Sequence, residues 1–312
     1  MKKITIIGAG NVGAHAAVSA ATLELGHIVL LDQNSDLAKG KAIDITQSMA
    51  LIQSDSIVTG TGDYQDTADS DIVVITAGVS RKPGMSRDDL LFINAGILES
   101  IVKQVVDYSP QCILIIVTNP VNTMVQLAYE VSGFPKERVI GMAGILDGGR
   151  FKYFIARELN VGASEVVTVV IGDHGELMVP LEDHCQVNGQ PIAELLSREC
   201  ITDIVKRVQH AGSEIVNLLK TGSAYFAPGR AVIQMVKAIL RDEHRTLPCA
   251  VYLEGEYGVK GTFVGVPAVL GINGVEKIIE IHLTEKETSA FEQSVEHICA
   301  RTIELNKKRA LN

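Results

Sequence analysis

The chain has 312 residues, 46% of them hydrophobic, which is enough for two domains of ordinary size and a substantial core and excludes both a disordered segment and a small stapled scaffold. Its formal net charge of -9 argues against a broad nucleic-acid footprint or an anionic membrane surface as main partner. Any positive charge needed for function must therefore be placed locally.

The five cysteines are odd in number, scattered and without a CxxC pair, so the sequence suggests neither a disulfide framework nor a zinc site, and a reducing cytoplasm is the expected compartment. The opening "MKKITIIGAGNVGAHAAVSA" superficially looks like an export signal. Asn11 and His15 interrupt its apolar stretch, and its glycines follow a stricter rule given below. No apolar run approaches the ~20 residues of a membrane-spanning helix.

From the first residues onward, short β-branched runs alternate with helix-compatible segments: KITIIG, HIVLLD, SIVTGTG, DIVVITAG, CILIIVTNP and VIGMAG. This rhythm, with runs apolar on both faces, predicts a parallel sheet between two helix layers. After about Gly144 the texture changes. A helix is expected over LDGGRFKYFIAREL, then antiparallel strands within EVVTVVIGDHGELMVPLEDHCQV with a turn at Asn188-Gly189. Helices are expected at 193–219 and 223–241, a β region from Cys249 to His282, and a last helix with a capping box at Thr284 and Glu287. With no low-complexity linker, the junction near residue 143 should be packed rather than tethered.

The strand KITIIG runs into Gly8-Ala9-Gly10-Asn11-Val12-Gly13 and then a helix-compatible, alanine-rich segment, the context that GxGxxG requires. Gly8 permits the tight turn, Gly10 lets the backbone approach a pyrophosphate, and Gly13 allows close packing of helix on strand. Asp32 closes the second strand, where a carboxylate accepts hydrogen bonds from both ribose hydroxyls and repels a 2'-phosphate. The expected cofactor is NAD rather than NADP.

Hydride transfer to or from NAD needs an acid/base group and something to hold the substrate. Four places qualify: the loop SRKPGMSR with Arg81 and Arg87, Asn119 at the end of CILIIVTNPVN, Asp147 and Arg150 in LDGGR, and His174 in IGDHGE. The tract Glu182-Asp183-His184 offers adjacent metal-ligand types without a second cluster, and reads as a solvated strand end or turn. No metal is expected.

The ordered set GAGNVG, ITAGVSRKPGMSR, VTNPVN, LDGGR and IGDHG resembles the lactate/malate dehydrogenase superfamily, and within it the bacterial lactate-dehydrogenase-like malate dehydrogenases, over essentially the whole chain. The resemblance implies a Rossmann-type doubly wound parallel sheet over 1–143 and an α+β substrate-binding and catalytic domain over 144–312. It implies His174 as general acid/base with Asp147 as its carboxylate partner, Arg150 on the substrate's C1 carboxylate, Arg87 polarising the reacting carbonyl, and Asn119 orienting the substrate oxygen. It places Asn94, Val117 and Asn119 near the cofactor together with Gly8, Gly10, Asn11, Val12, Gly13 and Asp32.

Within this family, arginine at the position of Arg81 accompanies malate and oxaloacetate, whereas lactate enzymes have glutamine. A second substrate carboxylate entering a closed site needs a counter-charge, and an enclosed Arg81 without one would be penalised. Small Ala224, where lactate enzymes have threonine, leaves room for a longer dicarboxylate. The Pro83-Gly84 pair marks residues 80–90 as an expected lid. The implied reaction is reversible NAD-dependent oxidation of (S)-malate to oxaloacetate in the citric acid cycle. Its alternatives are a lactate or other 2-hydroxy acid dehydrogenase and a non-catalytic dinucleotide-binding protein. The family also implies a homo-oligomer, with a homotetramer favoured over a homodimer.

Overall fold

The computed structural model describes residues 1–79 and 87–310, the side chain of Arg87 excepted. Its elements run β1 (Lys3–Ile7), α1 (Asn11–Thr22), β2 (His27–Leu31), α2 (Ser35–Ala50), β3 (Val58–Thr61), β4 (Ile72–Ile75), α3 (Arg87–Tyr108), β5 (Ile113–Ile116), α4 (Val121–Ser132) and β6 (Val139–Gly141). There follow α5 (Gly144–Leu159), β7 (Val166–Val167), β8 (Val170–Gly172), β9 (Met178–Pro180), β10 (Gln186–Val187), β11 (Gln190–Pro191), α6 (Ile192–Leu195), α7 (Arg198–Leu219), α8 (Phe226–Leu240), β12 (Arg245–Glu254), β13 (Lys260–Gly271), β14 (Gly274–Ile278) and α9 (Glu285–Arg309).

The first six strands are parallel, in the order β3-β2-β1-β4-β5-β6. Their side chains alternate between two layers, as period-two geometry demands. Ile4, Ile6, Ile28, Leu30, Ile72 and Val74 enter a core shared with α1, α2 and α8. Ile7, Leu31, Val73, Ile75, Leu114 and Ile116 enter the opposite core, against α3 and α4. Both faces are buried except at the edge strand β3, where Thr59 is exposed, which is why the inner runs carry no polar alternation.

The sheet continues past β6. Ala250 of β12 pairs antiparallel with Gly141, and β13, β8, β9 and β14 extend the same sheet with antiparallel neighbours. A small antiparallel sheet, β11-β10-β7, stands beside it. Asn188 and Gly189 both have positive φ, 50° and 83°, and close the two-residue hairpin between β10 and β11. The capping box at Thr284 and Glu287 opens α9 with both reciprocal bonds made.

Two expected boundaries move. The segment 193–219 is two helices, because Leu196 is extended and the Ser197 side chain accepts from Cys200 N–H to start α7 afresh. The late β region begins at Arg245 and passes through Pro248, which faces Pro267 across the ladder, so that both missing donors coincide at one rung. Among the described residues, no helix is long and apolar enough to cross a membrane.

Candidate active site

Strand order reverses between β1 and β4, which opens a crevice at the carboxyl ends of the parallel strands. The GxGxxG turn lies there. Gly8 has φ +106°, and a Cβ on it would sit 2.7 Å from Ala77 N; a Cβ on Gly13 would sit 1.8 Å from Gly8 O. No side chain fits at either place. At Gly10, by contrast, a Cβ would meet nothing within 4 Å, so the turn leaves a cradle open beside the backbone. Helix α1 begins at Asn11 with no side-chain cap and no acid in its first turn, which leaves the amides of Asn11, Val12 and Gly13 without a capping side chain.

Asp32 follows β2. Its Oδ2 accepts from Ala9 N–H at 2.7 Å and its Oδ1 from Asn34 N–H at 2.9 Å, so the carboxylate braces the glycine turn and faces the same crevice. Lys41 of α2 donates to Ala9 O at 2.8 Å, so the two peptide groups on either side of the Ala9 Cα are each held by a charged side chain. Val117, after β5, is buried. Asn94 is also buried: its Oδ1 accepts from Val79 N–H at 2.8 Å, and its Nδ2 donates to Asn119 O at 2.8 Å. Asn94 therefore ties the ends of β4 and β5 together, while Asn119 itself is exposed. This donor set, with open backbone amides, an adjacent carboxylate and an apolar floor, fits a dinucleotide.

The second half of the crevice is built by α5 and the turn between β8 and β9. Asp147 lies in the first turn of α5 and is 1% exposed. Its Oδ2 is 2.7 Å from His174 Nδ1, and its Oδ1 is 3.3 Å from Arg150 Nη1, one helical turn on. Burial alone would lower the His174 pKa. The charge and hydrogen bond of Asp147, helped by Asp173, outweigh burial and the opposing charge of Arg150, and the net shift is upward. Among the described residues, the buried Arg150 Nε has no hydrogen-bond partner, so the guanidinium retains donor capacity.

Of the expected site residues, Gly8, Gly10, Asn11, Val12, Gly13, Asp32, Asn94, Val117 and Asn119 gather at the ends of β1, β2, β4 and β5, and Asp147, Arg150 and His174 form one contact group. Arg81, Pro83 and Gly84 lie outside the described residues, as does the side chain of Arg87, whose backbone starts α3. Ala224 is half-buried in the segment before α8. Glu182 is spent on Arg198 and Lys286, and His184 Nε2 lies 3.0 Å from His282 O, so that tract is a tied-down turn. Among the described residues, one group of metal-ligand type stands together, the exposed Asp242, His244 and Glu276. The sequence reading overlooked Lys41, Asn122 and Ser294. Asn122 stood inside the VTNPVN motif, the one available signal; the other two carried none.

Residues 2–141 match the family described as lactate/malate dehydrogenase, NAD binding domain, and residues 145–308 match the lactate/malate dehydrogenase α/β C-terminal domain. The chain belongs to the lactate/malate dehydrogenase family. The malate dehydrogenase of Anoxybacillus flavithermus is 50% identical over 299 residues, 95% of this chain and 96% of that protein. Among solved structures of the family, the malate dehydrogenase of Cryptosporidium parvum has a TM-score of 0.96 at 40% identity, covering 98% of this chain and 99% of that one. The lactate dehydrogenase of the same organism, solved with lactic acid and NAD, has a TM-score of 0.95 at 41% identity, covering 98% of each chain. Backbone shape thus does not separate malate from lactate enzymes within this family.

Proposed function

We infer that this protein catalyses the reversible NAD-dependent oxidation of (S)-malate to oxaloacetate. The observation that carries the chemistry is the Asp147–His174 pair at 2.7 Å beside Arg150. With Nδ1–H donated to Asp147, neutral His174 has Nε2 as an acceptor for the substrate hydroxyl proton, and the imidazolium formed is stabilised by the same carboxylate. NAD supplies the hydride acceptor. The uncapped start of α1 and the cradle at Gly10 would hold its pyrophosphate, Asp32 its ribose, and Val117 and Asn119 the far end of the crevice. Asn94 acts on that end through the backbone it ties. Arg150 offers a planar fork for the C1 carboxylate, and Asn119 orients the substrate oxygen.

Specificity is assigned to the segment between β4 and α3. Arg87 polarises the carbonyl, and Arg81 meets the second carboxylate, with Ala224 leaving space for the longer acid. Identity of about one half to malate dehydrogenases along 95% of the chain supports this choice over lactate. Residues 1–143 form the NAD-binding domain in this reading and 144–312 the substrate-binding and catalytic domain, with Arg81, Arg87 and Asn119 reaching the substrate from the first. Comparing kcat/KM for oxaloacetate and pyruvate before and after Arg81→Gln tests the assignment. Oxaloacetate should be strongly preferred by the unaltered protein and lose that preference on substitution. Preference for pyruvate would overturn the substrate, and an unchanged preference would overturn the role of Arg81.

The same reading extends to a homotetramer in the cytoplasm, serving the citric acid cycle. Exposed Leu218 and Tyr153 line a cavity of about 550 Å³ between α5, α7 and α8, and Leu219 and Phe226, next in sequence to lining residues, are exposed as well, apolar surface that a second copy would cover. The five unpaired cysteines suit a reducing compartment. Light scattering on the purified protein tests the assembly, and a monomer would refute it.

A further inference from the structure

The turn that carries His174 has two consecutive backbone donors, and each is taken by a buried side chain from a distant element. Asp173 N–H donates to Ser294 Oγ of α9 at 2.7 Å, across 121 residues of sequence. His174 N–H donates to Asn122 Oδ1 of α4 at 3.2 Å, across 52 residues. Ser294 is 0% exposed and Asn122 is 2% exposed. The Asn122 amide cannot turn over, because its Nδ2 donates to Phe263 O of β13 at 3.2 Å. Helix α9 presses on the turn directly: Gly172 has φ +87°, and a Cβ there would lie 2.6 Å from Ser294 Oγ. His297, one turn further along α9, places Nδ1 3.0 Å from Asp173 Oδ2.

We propose that Asn122 and Ser294 are positioning residues for proton transfer: they fix the backbone of Asp173 and His174 from two sides, and so set the imidazole's reach to Asp147 and to the substrate hydroxyl. This rests on the reading of His174 as the acid/base group. Asn122 stands three residues after Asn119, so the start of α4 links the substrate-orienting end of β5 to the acid/base turn. A side-chain anchor on a backbone donor holds a turn that belongs to no regular ladder, and a displacement near 1 Å costs a reaction about a hundredfold.

The test uses the full chain with Ser294→Ala, which removes one oxygen, and Asn122→Leu, which removes both amide bonds at similar volume. The dissociation constant of NADH, read by fluorescence titration, should stay within about twofold, while kcat for malate falls about tenfold or more in each variant. The charges facing His174 among the described residues are Asp147, Arg150 and Asp173, all retained in both variants. An imidazole drawn away from Asp147 should therefore titrate at lower pH, and the midpoint of malate oxidation should move down with it. Titration of His174 by NMR reports the same shift without turnover, so a wild-type chain inactive on malate would refute the proposed function and leave this measurement decisive. Variants with kcat within twofold of wild type, or with an unmoved His174 titration, would overturn the positioning role.

Discussion

His174 meets Asp147 through Nδ1 at 2.7 Å, and that carboxylate is 1% exposed, so the proposed acid/base group leans on a charge almost wholly removed from water. Such a carboxylate is stable only because Arg150 and His174 both face it. Asp147→Asn keeps the shape, removes the charge and can present an N–H to Nδ1, which favours the wrong tautomer. Its kcat should fall by about 10² to 10⁴, with the NADH dissociation constant unchanged. Steady-state kinetics beside a fluorescence titration separate the two quantities, and a fall confined to cofactor binding would remove Asp147 from the proton-transfer step.

The raised pKa of His174 gives the two directions opposite pH dependence. Malate oxidation needs the neutral imidazole, so its rate should climb through a midpoint above the ordinary value of about 6.5. Oxaloacetate reduction needs the imidazolium and should decline across the same interval. Stability follows the protonated form: with the folded pKa raised, the contribution of the pair is complete below about 6.5 and is lost as pH rises through the folded value. Initial-rate profiles in both directions at fixed ionic strength should cross; two profiles rising together would contradict this assignment.

How much of this was legible in the sequence depended on whether a signal was local. Ile4 through Ile7 and their counterparts announced a doubly covered sheet, because burial on both faces removes polar alternation from a strand. Gly8 and Gly13 were legible for a related reason: a Cβ at either would strike backbone, so only one residue type fits. The hand-off between β6 and β12 was not, since Gly141 and Ala250 carry no local sign of pairing across more than a hundred residues. Ser294 escaped in the same way. Its hydroxyl looks like any other on an amphipathic helix until α9 is packed against the β8–β9 turn. Ser197 is the reverse case: a local cap was present, and the longer apolar periodicity on both sides obscured it.

Asp32 has two duties, and its replacement should expose both. The carboxylate braces Ala9 and Asn34 through their N–H groups, and in the proposed function it also receives the ribose. Asp32→Ser removes the repulsion of a 2'-phosphate and one partner of the glycine turn. The NADH dissociation constant should rise about tenfold or more, and the preference over NADPH should shrink by a larger factor. Fluorescence titration with both reduced cofactors reads the ratio; a ratio unchanged within experimental spread would show that discrimination lies elsewhere in the crevice.

Arg150 allows charge and shape to be separated. Its Nη1 is 3.3 Å from Asp147 Oδ1, so one arm of the fork is held, and its buried Nε has no hydrogen-bond partner among the described residues. Arg150→Lys keeps the charge and loses the parallel pair of donors. Charge-assisted hydrogen bonds contribute about 1.5 to 3 kcal/mol, so KM for oxaloacetate should rise between about ten- and a hundredfold. Because the charge of Arg150 lowers the His174 pKa, the lysine variant should leave the pH midpoint of malate oxidation in place, whereas Arg150→Gln should move it upward. A midpoint that moved equally in both variants would mean that Arg150 acts on His174 through the geometry of Asp147 rather than through its charge, and the fork would then be a support for the carboxylate before it is a clamp for the substrate.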